Sequence, residues 1–250
     1  MTGPMRIWLV PALAVSGLAA LYLGPGNQAA FLAVNHAAAA LPAALWANLT
    51  TVGDTLVAFA LLLPFARRRP DIAAAVLLAV LLTLAYVHGI KNLVAMPRPV
   101  AVLDHAAFTV IGPALKAGAF PSGHTATAFA LVALLGAQLP WRQLTPLLLL
   151  AALVGISRIA VGAHWPADVL AGAAGGWLAG LAGTALAQRW QVLHHPALCR
   201  TVQAILIAGA VWLFTGYDSH YPDARRLEQA AAFAGIVLFF RPVQGKPRDD

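Results

Sequence analysis

Charge is what this sequence has least of. Lys, Arg, Asp and Glu make up 10% of its 250 residues, where a soluble domain carries about 25%. So few charges cannot cover a water-soluble surface of this size. With 60% hydrophobic residues and a mean hydropathy of +0.77, the chain reads as an integral membrane protein. Acidic residues are the scarcest, nine against sixteen Lys and Arg, for a net charge of +7 and a pI near 10.3. A nucleic-acid partner is not implied, because the cations sit in short gaps between apolar runs, as the positive-inside rule expects. Cys199 is the single cysteine, which excludes an internal disulfide and reads as a small apolar residue on the cytoplasmic side. A small-residue cleavage site leading into a polar domain is also missing after the apolar run Ile7 to Gly24, so that run is expected to be an uncleaved first span. No internal repeat stands out.

The apolar runs predict an all-α polytopic membrane bundle. After the first span, kinked at Pro11, Pro25 to Asn48 carries Pro, Asn and His but no formal charge and reads as interfacial or re-entrant. Asn35 and His36 are expected at the interface. Further spans are expected at Leu49–Ala66, Ile72–Ile90, Ser122–Pro140, Leu144–Val161 and Trp165–Gln188, with a tight turn at Trp141-Arg142-Gln143. Lys91 to Pro121 is a loop rich in Pro and Gly. After a basic linker from Arg189 to Arg200, Thr201–Tyr217 and Leu227–Phe240 offer one or two more apolar helices, and the tail from Arg241 is expected to be disordered. The organisation is then residues 1–48 as first span and interfacial segment, 49–188 as core, 189–240 as linker and additional helices, and 241–250 as tail. The tryptophans fall mostly near span ends, as interface anchors do.

Counting cations orients this topology. With the N-terminus inside, ten Lys and Arg lie inside and six outside, which favours that orientation. It also brings three loops distant in sequence to one outer face: Lys91 to Pro99, Pro121-Ser122-Gly123-His124, and Ser157 to Asp168. Charge between apolar segments is expensive and marks a functional site.

Lys91, Arg98 and Arg158 make an anion site, since guanidinium forks match phosphate oxygens and lysine adds a compact charge. Ser122 stands where a helix begins. Its hydroxyl and the amides of Ser122, Gly123 and His124 are expected to bind an oxyanion, with glycine allowing close approach. His164 and Asp168 are four apart, on one helical face, so the carboxylate can aim the imidazole. His164 is therefore the better nucleophile and His124 the better general acid. Asp54 either pairs with a site cation or caps a helix. His88, Asp104, His105 and Lys116 read as packed or solvated surface. His194-His195 has no converging partners for a metal. Gly172, Gly176 and Gly180 line one face of the sixth span and predict close helix packing.

Together the spacings Lys-x6-Arg-Pro, Pro-Ser-Gly-His and Ser-Arg-x5-His-x3-Asp resemble the type 2 phosphatidic acid phosphatase family, over roughly residues 50 to 188, with every signature position matched. The resemblance implies a six-helix core and a metal-independent phosphomonoesterase or diphosphatase with no cofactor. It implies phosphate binding by Lys91, Arg98, Ser122, Gly123 and Arg158, with His124 as acid, His164 as nucleophile and Asp168 as its partner. The segment after Gln188 departs from the simplest six-span members. The expected substrate is a membrane lipid, of the undecaprenyl diphosphate or phosphatidate type, met at the outer face of an inner membrane. The alternative is a phosphotransferase that passes the phosphoryl group to lipid A or another acceptor. A transporter that keeps only a phosphate site is the remaining class, disfavoured by the presence of both histidines and Asp168. The vanadate-dependent haloperoxidase branch is disfavoured by the many spans. Oligomeric state is open.

Overall fold

The computed structural model describes residues 3–24, 26–136, 139–190 and 195–242. Among them every regular element is helical: α1 (Gly3–Leu23), α2 (Gly26–Ala38), α3 (Ala43–Val52), α4 (Thr55–Arg68), α5 (Pro70–Val94), α6 (Pro99–Val102), α7 (Gly123–Gly136), α8 (Trp141–Ala160), α9 (Pro166–Arg189), α10 (Pro196–Thr215) and α11 (Arg225–Phe240), with 3₁₀ turns at His105–Ala107 and Pro222–Ala224. The protein is an all-α membrane bundle. Four stretches are long and apolar enough to cross a bilayer, Ile72–Val102, Trp141–Ala160, Pro166–Arg189 and Pro196–Thr215. Two bent pairs, α1 with α2 at 106° and α3 with α4 at 54°, bring this to six if each pair is one broken span.

Several boundaries differ from those the sequence suggests, each for a local reason. The stretch Leu49–Ala66 is not one helix. Asp54 breaks it, its carboxylate accepting the Leu56 N–H at 2.8 Å as the N-cap of α4; short acidic side chains satisfy the orphan amides of a helix start. Trp141–Gln143 is no turn but the start of α8. Pro140 cannot extend a helix backwards, yet its carbonyl accepts from Gln143 and Leu144. The apolar run from Ser122 yields only the 14 residues of α7, about 21 Å of rise against a hydrocarbon core of about 30 Å. Thus α7 is an internal wedge. Thr125, Ala126, Phe129, Ala133 and Leu134 are all buried. Asn35 and Trp177 are buried rather than interfacial, at 0% and 2% exposure. The expected disorder of the tail falls almost wholly outside the described residues, and His194 lies outside them as well.

Glycine sets the centre of the bundle. A Cβ at Gly172, Gly176 or Gly180 would stand 2.5, 2.1 and 2.4 Å from the carbonyl oxygens of Ser122, Ala126 and Ala130. The glycine face of α9 therefore lies directly on the backbone of α7, as expected of small residues where helices pack in lipid. On another side, a Cβ at Gly183 would meet Ala79 N at 2.6 Å on α5. The C-terminal helices are docked in the same way: a Cβ at Gly235 of α11 would meet Ala60 O of α4 at 2.3 Å. Val57, Leu63, Val76, Leu206 and Leu213 share one apolar core across α4, α5 and α10.

The segment between α5 and α7 is anchored from two directions. The Asn35 side chain donates to the carbonyls of Thr109, Ile159 and Ala160 at 3.0 to 3.1 Å and accepts from Thr109 N at 2.8 Å. Phe31 meets Phe108 and Trp165 edge to face, each with centroids 5.2 Å apart. So α2 holds both the loop and the stretch that carries His164.

Candidate active site

The signature residues of the sequence sit at helix ends or in the links beside them, on the same side of the bundle. Lys91 is in the last turn of α5, Arg98 precedes α6, Ser122 precedes α7, and Gly123 and His124 open it. Arg158 is in the last turn of α8, His164 lies in the link to α9, and Asp168 is the third residue of α9. Buried glycine packing of α9 on α7 brings two of these ends into contact, and the Ser122 amide donates to the Asp168 carbonyl at 3.0 Å.

His164 is held by its own turn. Gly162 adopts φ +78°, where a side chain would be strained and its Cβ would meet Thr109 O at 2.8 Å. The His164 amide then donates back to the Arg158 carbonyl at 3.1 Å. The imidazole is 2% exposed, with Nδ1 3.3 Å from the Asp168 Oδ2, itself buried. The same Oδ2 accepts the Trp165 amide at 2.8 Å, which is half of a capping box and fixes the carboxylate. Nδ1–H pointing at Asp168 leaves the lone pair on Nε2, 3.5 Å from Arg98 Nη1. Burial first, then the charges of Arg158, Arg98 and Lys91 and the neighbouring His124, push the His164 imidazole well below its ordinary range. It is therefore neutral at pH 7, with Nε2 available.

The three cations are not equivalent. Arg98 is spent largely on structure: Nε donates to Ala117 O at 2.9 Å, Nη2 to Gly118 O at 3.3 Å and Nη1 to Ala163 O at 3.2 Å. It staples the loop to the His164 turn. Arg158, 4% exposed, donates from Nη1 to Thr50 Oγ1 and to the Tyr221 hydroxyl, the latter at 3.1 Å. Its Nε is buried with no partner among the described residues, and an orphaned charged donor is expensive unless an anion meets it. Lys91, Gly123 and His124 are the partly open members.

The Ser122 amide is not free for an oxyanion, because Asp168 takes it. The Ser122 hydroxyl accepts from Thr125 Oγ1 at 2.9 Å and from Thr125 N at 3.5 Å, capping α7 while keeping its own proton to donate. The amides of Gly123 and His124 stand in the first turn of α7, where helix amides have no intrahelical acceptor. No protein contact demands glycine at 123: a Cβ would meet only Val87 at an ordinary 3.6 Å. Asp54 caps α4 and accepts from the Tyr217 hydroxyl at 2.5 Å, so of its two readings the structure shows the cap. His88 is exposed. No group of three metal-ligating side chains occurs among the described residues. Thr50 and Tyr221, which hold Arg158, carried no signal in sequence, since neither belongs to a spaced motif.

A deprotonated imidazole aimed by a carboxylate, cations on an orphan-donor site and a helix N-terminus form a constellation for phosphoryl transfer. Residues 72–191 match the PAP2 superfamily, the family that the spaced motifs of this segment resemble. It is 46% identical to a lipid A 1-phosphatase of Porphyromonas gingivalis over 71 residues, which are 27% of this chain and only 16% of that protein. It resembles the crystal structure of Aquifex aeolicus LpxE with a TM-score of 0.57 and 28% identity, covering 66% of this chain and 95% of that one.

Proposed function

We propose that this protein is an integral membrane phosphatase that removes a phosphoryl group from a membrane lipid through a phosphohistidine. The observation that carries the reading is the buried His164–Asp168 pair set among Arg98, Arg158 and Lys91, beside the unpartnered Nε of Arg158. In this reading His164 Nε2 attacks phosphorus, and the bond from phosphorus to the lipid oxygen breaks. His124 gives that oxygen its proton. Asp168 steadies the positive charge growing on His164. Water, deprotonated by His124, then attacks the phosphohistidine, releasing inorganic phosphate and free His164. Arg158, Arg98, Lys91, the Ser122 hydroxyl and the Gly123 amide meet the phosphoryl oxygens, so the reading assigns the charge stabilisation to protein groups and no metal or cofactor.

The match to a lipid A 1-phosphatase and the fold of LpxE favour a lipid A 1-phosphate as substrate over undecaprenyl diphosphate or phosphatidate. The Lys and Arg distribution supports an inner-membrane protein with its site facing the periplasm or exterior. The test is phosphate release by purified protein from lipid A 1-phosphate, undecaprenyl diphosphate and phosphatidate, each with excess EDTA. Release from lipid A fastest and unaffected by EDTA is expected. No release from any of them contradicts the phosphatase reading. Release only when an acceptor lipid is added, with label recovered on it, replaces hydrolysis by phosphotransfer.

A further inference from the structure

The PAP2 match ends at residue 191, yet a residue thirty positions beyond it touches the site. Tyr221 lies in the link between α10 and α11, is 5% exposed, and its hydroxyl oxygen accepts from Nη1 of Arg158 at 3.1 Å. Its ring packs against Gly112, where a Cβ would stand 2.4 Å from Tyr221 Cε1. It also shares a core with Trp46, Ala160 and Val161.

The link is braced at both ends. Arg225 donates to the carbonyls of Leu213, Phe214 and Tyr217 at 2.7 to 3.0 Å, a cation closing the C-terminus of α10 where the helix dipole favours it. Tyr217 is tied to Asp54 on the cap of α4. Between these fixed points His220 takes φ +62°, turning the chain so that Tyr221 faces α8. Such bracing is more than a lipid-facing connection requires.

What it holds is one nitrogen of Arg158. Nη1 is the guanidinium nitrogen cis to Cδ. With Nη1 engaged by Tyr221 and Thr50, the opposite edge presents Nε–H and Nη2 in parallel, the edge that matches two phosphate oxygens. Nε on that edge is buried and has no acceptor among the described residues. We propose that Tyr221 is a positioning residue: with Thr50 it clamps Nη1 of Arg158 so that the Nε and Nη2 edge faces the phosphoryl group. The segment after the family domain thereby becomes part of the active site. The inference rests on the phosphatase reading.

Tyr221→Phe removes the hydroxyl and keeps the packed ring. Tyr217→Phe is the control on the same link, since it loses the bond to Asp54 and does not reach Arg158. Both are compared with the parent for kcat, KM, unfolding temperature and inhibition by orthovanadate, which mimics the five-coordinate transition state. Tyr221→Phe is expected to weaken vanadate inhibition on the order of tenfold, the effect of one charged hydrogen bond, with a matching fall in kcat/KM and an unfolding temperature close to the parent. Tyr217→Phe is expected to lower the unfolding temperature and keep vanadate inhibition within about twofold. Unchanged vanadate inhibition in Tyr221→Phe, or equal weakening in both variants, overturns the positioning role while the phosphatase reading stands. A parent protein with no turnover and no vanadate binding overturns both.

Discussion

The backbone amide of Ser122 donates to the backbone carbonyl of Asp168 at 3.0 Å, joining the residue that opens α7 to the acid that aims His164. The contact exists because Gly172 sits one turn along α9, its missing Cβ 2.5 Å from the Ser122 carbonyl.

Gly172→Ala is therefore expected to push α7 off α9. The backbone cannot yield as a side chain does, so the cost is about 1–3 kcal/mol of stability, with phosphate release reduced at least tenfold. Gly89→Ala, where nothing lies within 4 Å, is the matched control. Thermal unfolding in detergent and phosphate release check both. Equal behaviour of the two variants contradicts the packing account.

Asp168→Asn keeps an oxygen for the Trp165 amide and so keeps the cap of α9. It removes the charge beside His164 Nδ1. The expected result is an unfolding temperature near the parent and a kcat lower by about 10²–10⁴, the scale of general acid–base and orienting contributions. A large drop in stability with little change in kcat would make Asp168 a structural cap only.

Burial, and after it Arg158, Arg98, Lys91 and His124, lower the pKa of His164. The proposed nucleophile works unprotonated, so the acid limb of kcat/KM is expected to lie below the ordinary imidazole range, about 6.5. Lys91→Met takes away one of the lesser causes. The pKa then rises partway and the acid limb moves to higher pH. Comparing the two proteins with one substrate cancels the ionisation of the phosphate itself, and an unmoved limb sinks the assignment. The same shift has a sign for stability. Unfolded chains protonate this histidine near pH about 6.5 while the folded one does not, so the contribution is present above that pH and lost as pH falls below it.

The chemistry of the site was more legible in sequence than its scaffolding. Lys91, Arg98, Ser122, His124, Arg158, His164 and Asp168 declared themselves because charge and histidine are rare in an apolar chain and because their spacings are local. The helices followed from long apolar runs. Asn35 was not legible, since nothing in a single sequence says that a lone amide among alanines will be met by Thr109, Ile159 and Ala160. Nor were Thr50 and Tyr221, whose role is defined by a partner across the fold. The break at Asp54 does not show in hydropathy, which continues through it, although a helix cap is one of the two readings the sequence offers for that carboxylate.

Asp54→Ala measures that cap and the brace together. It removes the acceptor of Leu56 N and strands the Tyr217 hydroxyl, whose proton burial, helped by Asp54, holds well above the usual phenol range. A loss of about 1–3 kcal/mol is expected from the cap and the stranded donor. Asp54→Asn, which keeps an acceptor, is expected to recover most of it. Thermal unfolding distinguishes them, and two equally stable variants would remove Asp54 from the account.

The central claim is that His164 carries the phosphoryl group. Purified protein is mixed with lipid A bearing a radiolabelled 1-phosphate, quenched into alkali within a single turnover and digested for peptide mapping. The account predicts an alkali-stable, acid-labile label on the peptide containing His164, absent from His164→Ala and formed with EDTA present. Turnover without such a label, or a label that persists in His164→Ala, would contradict it.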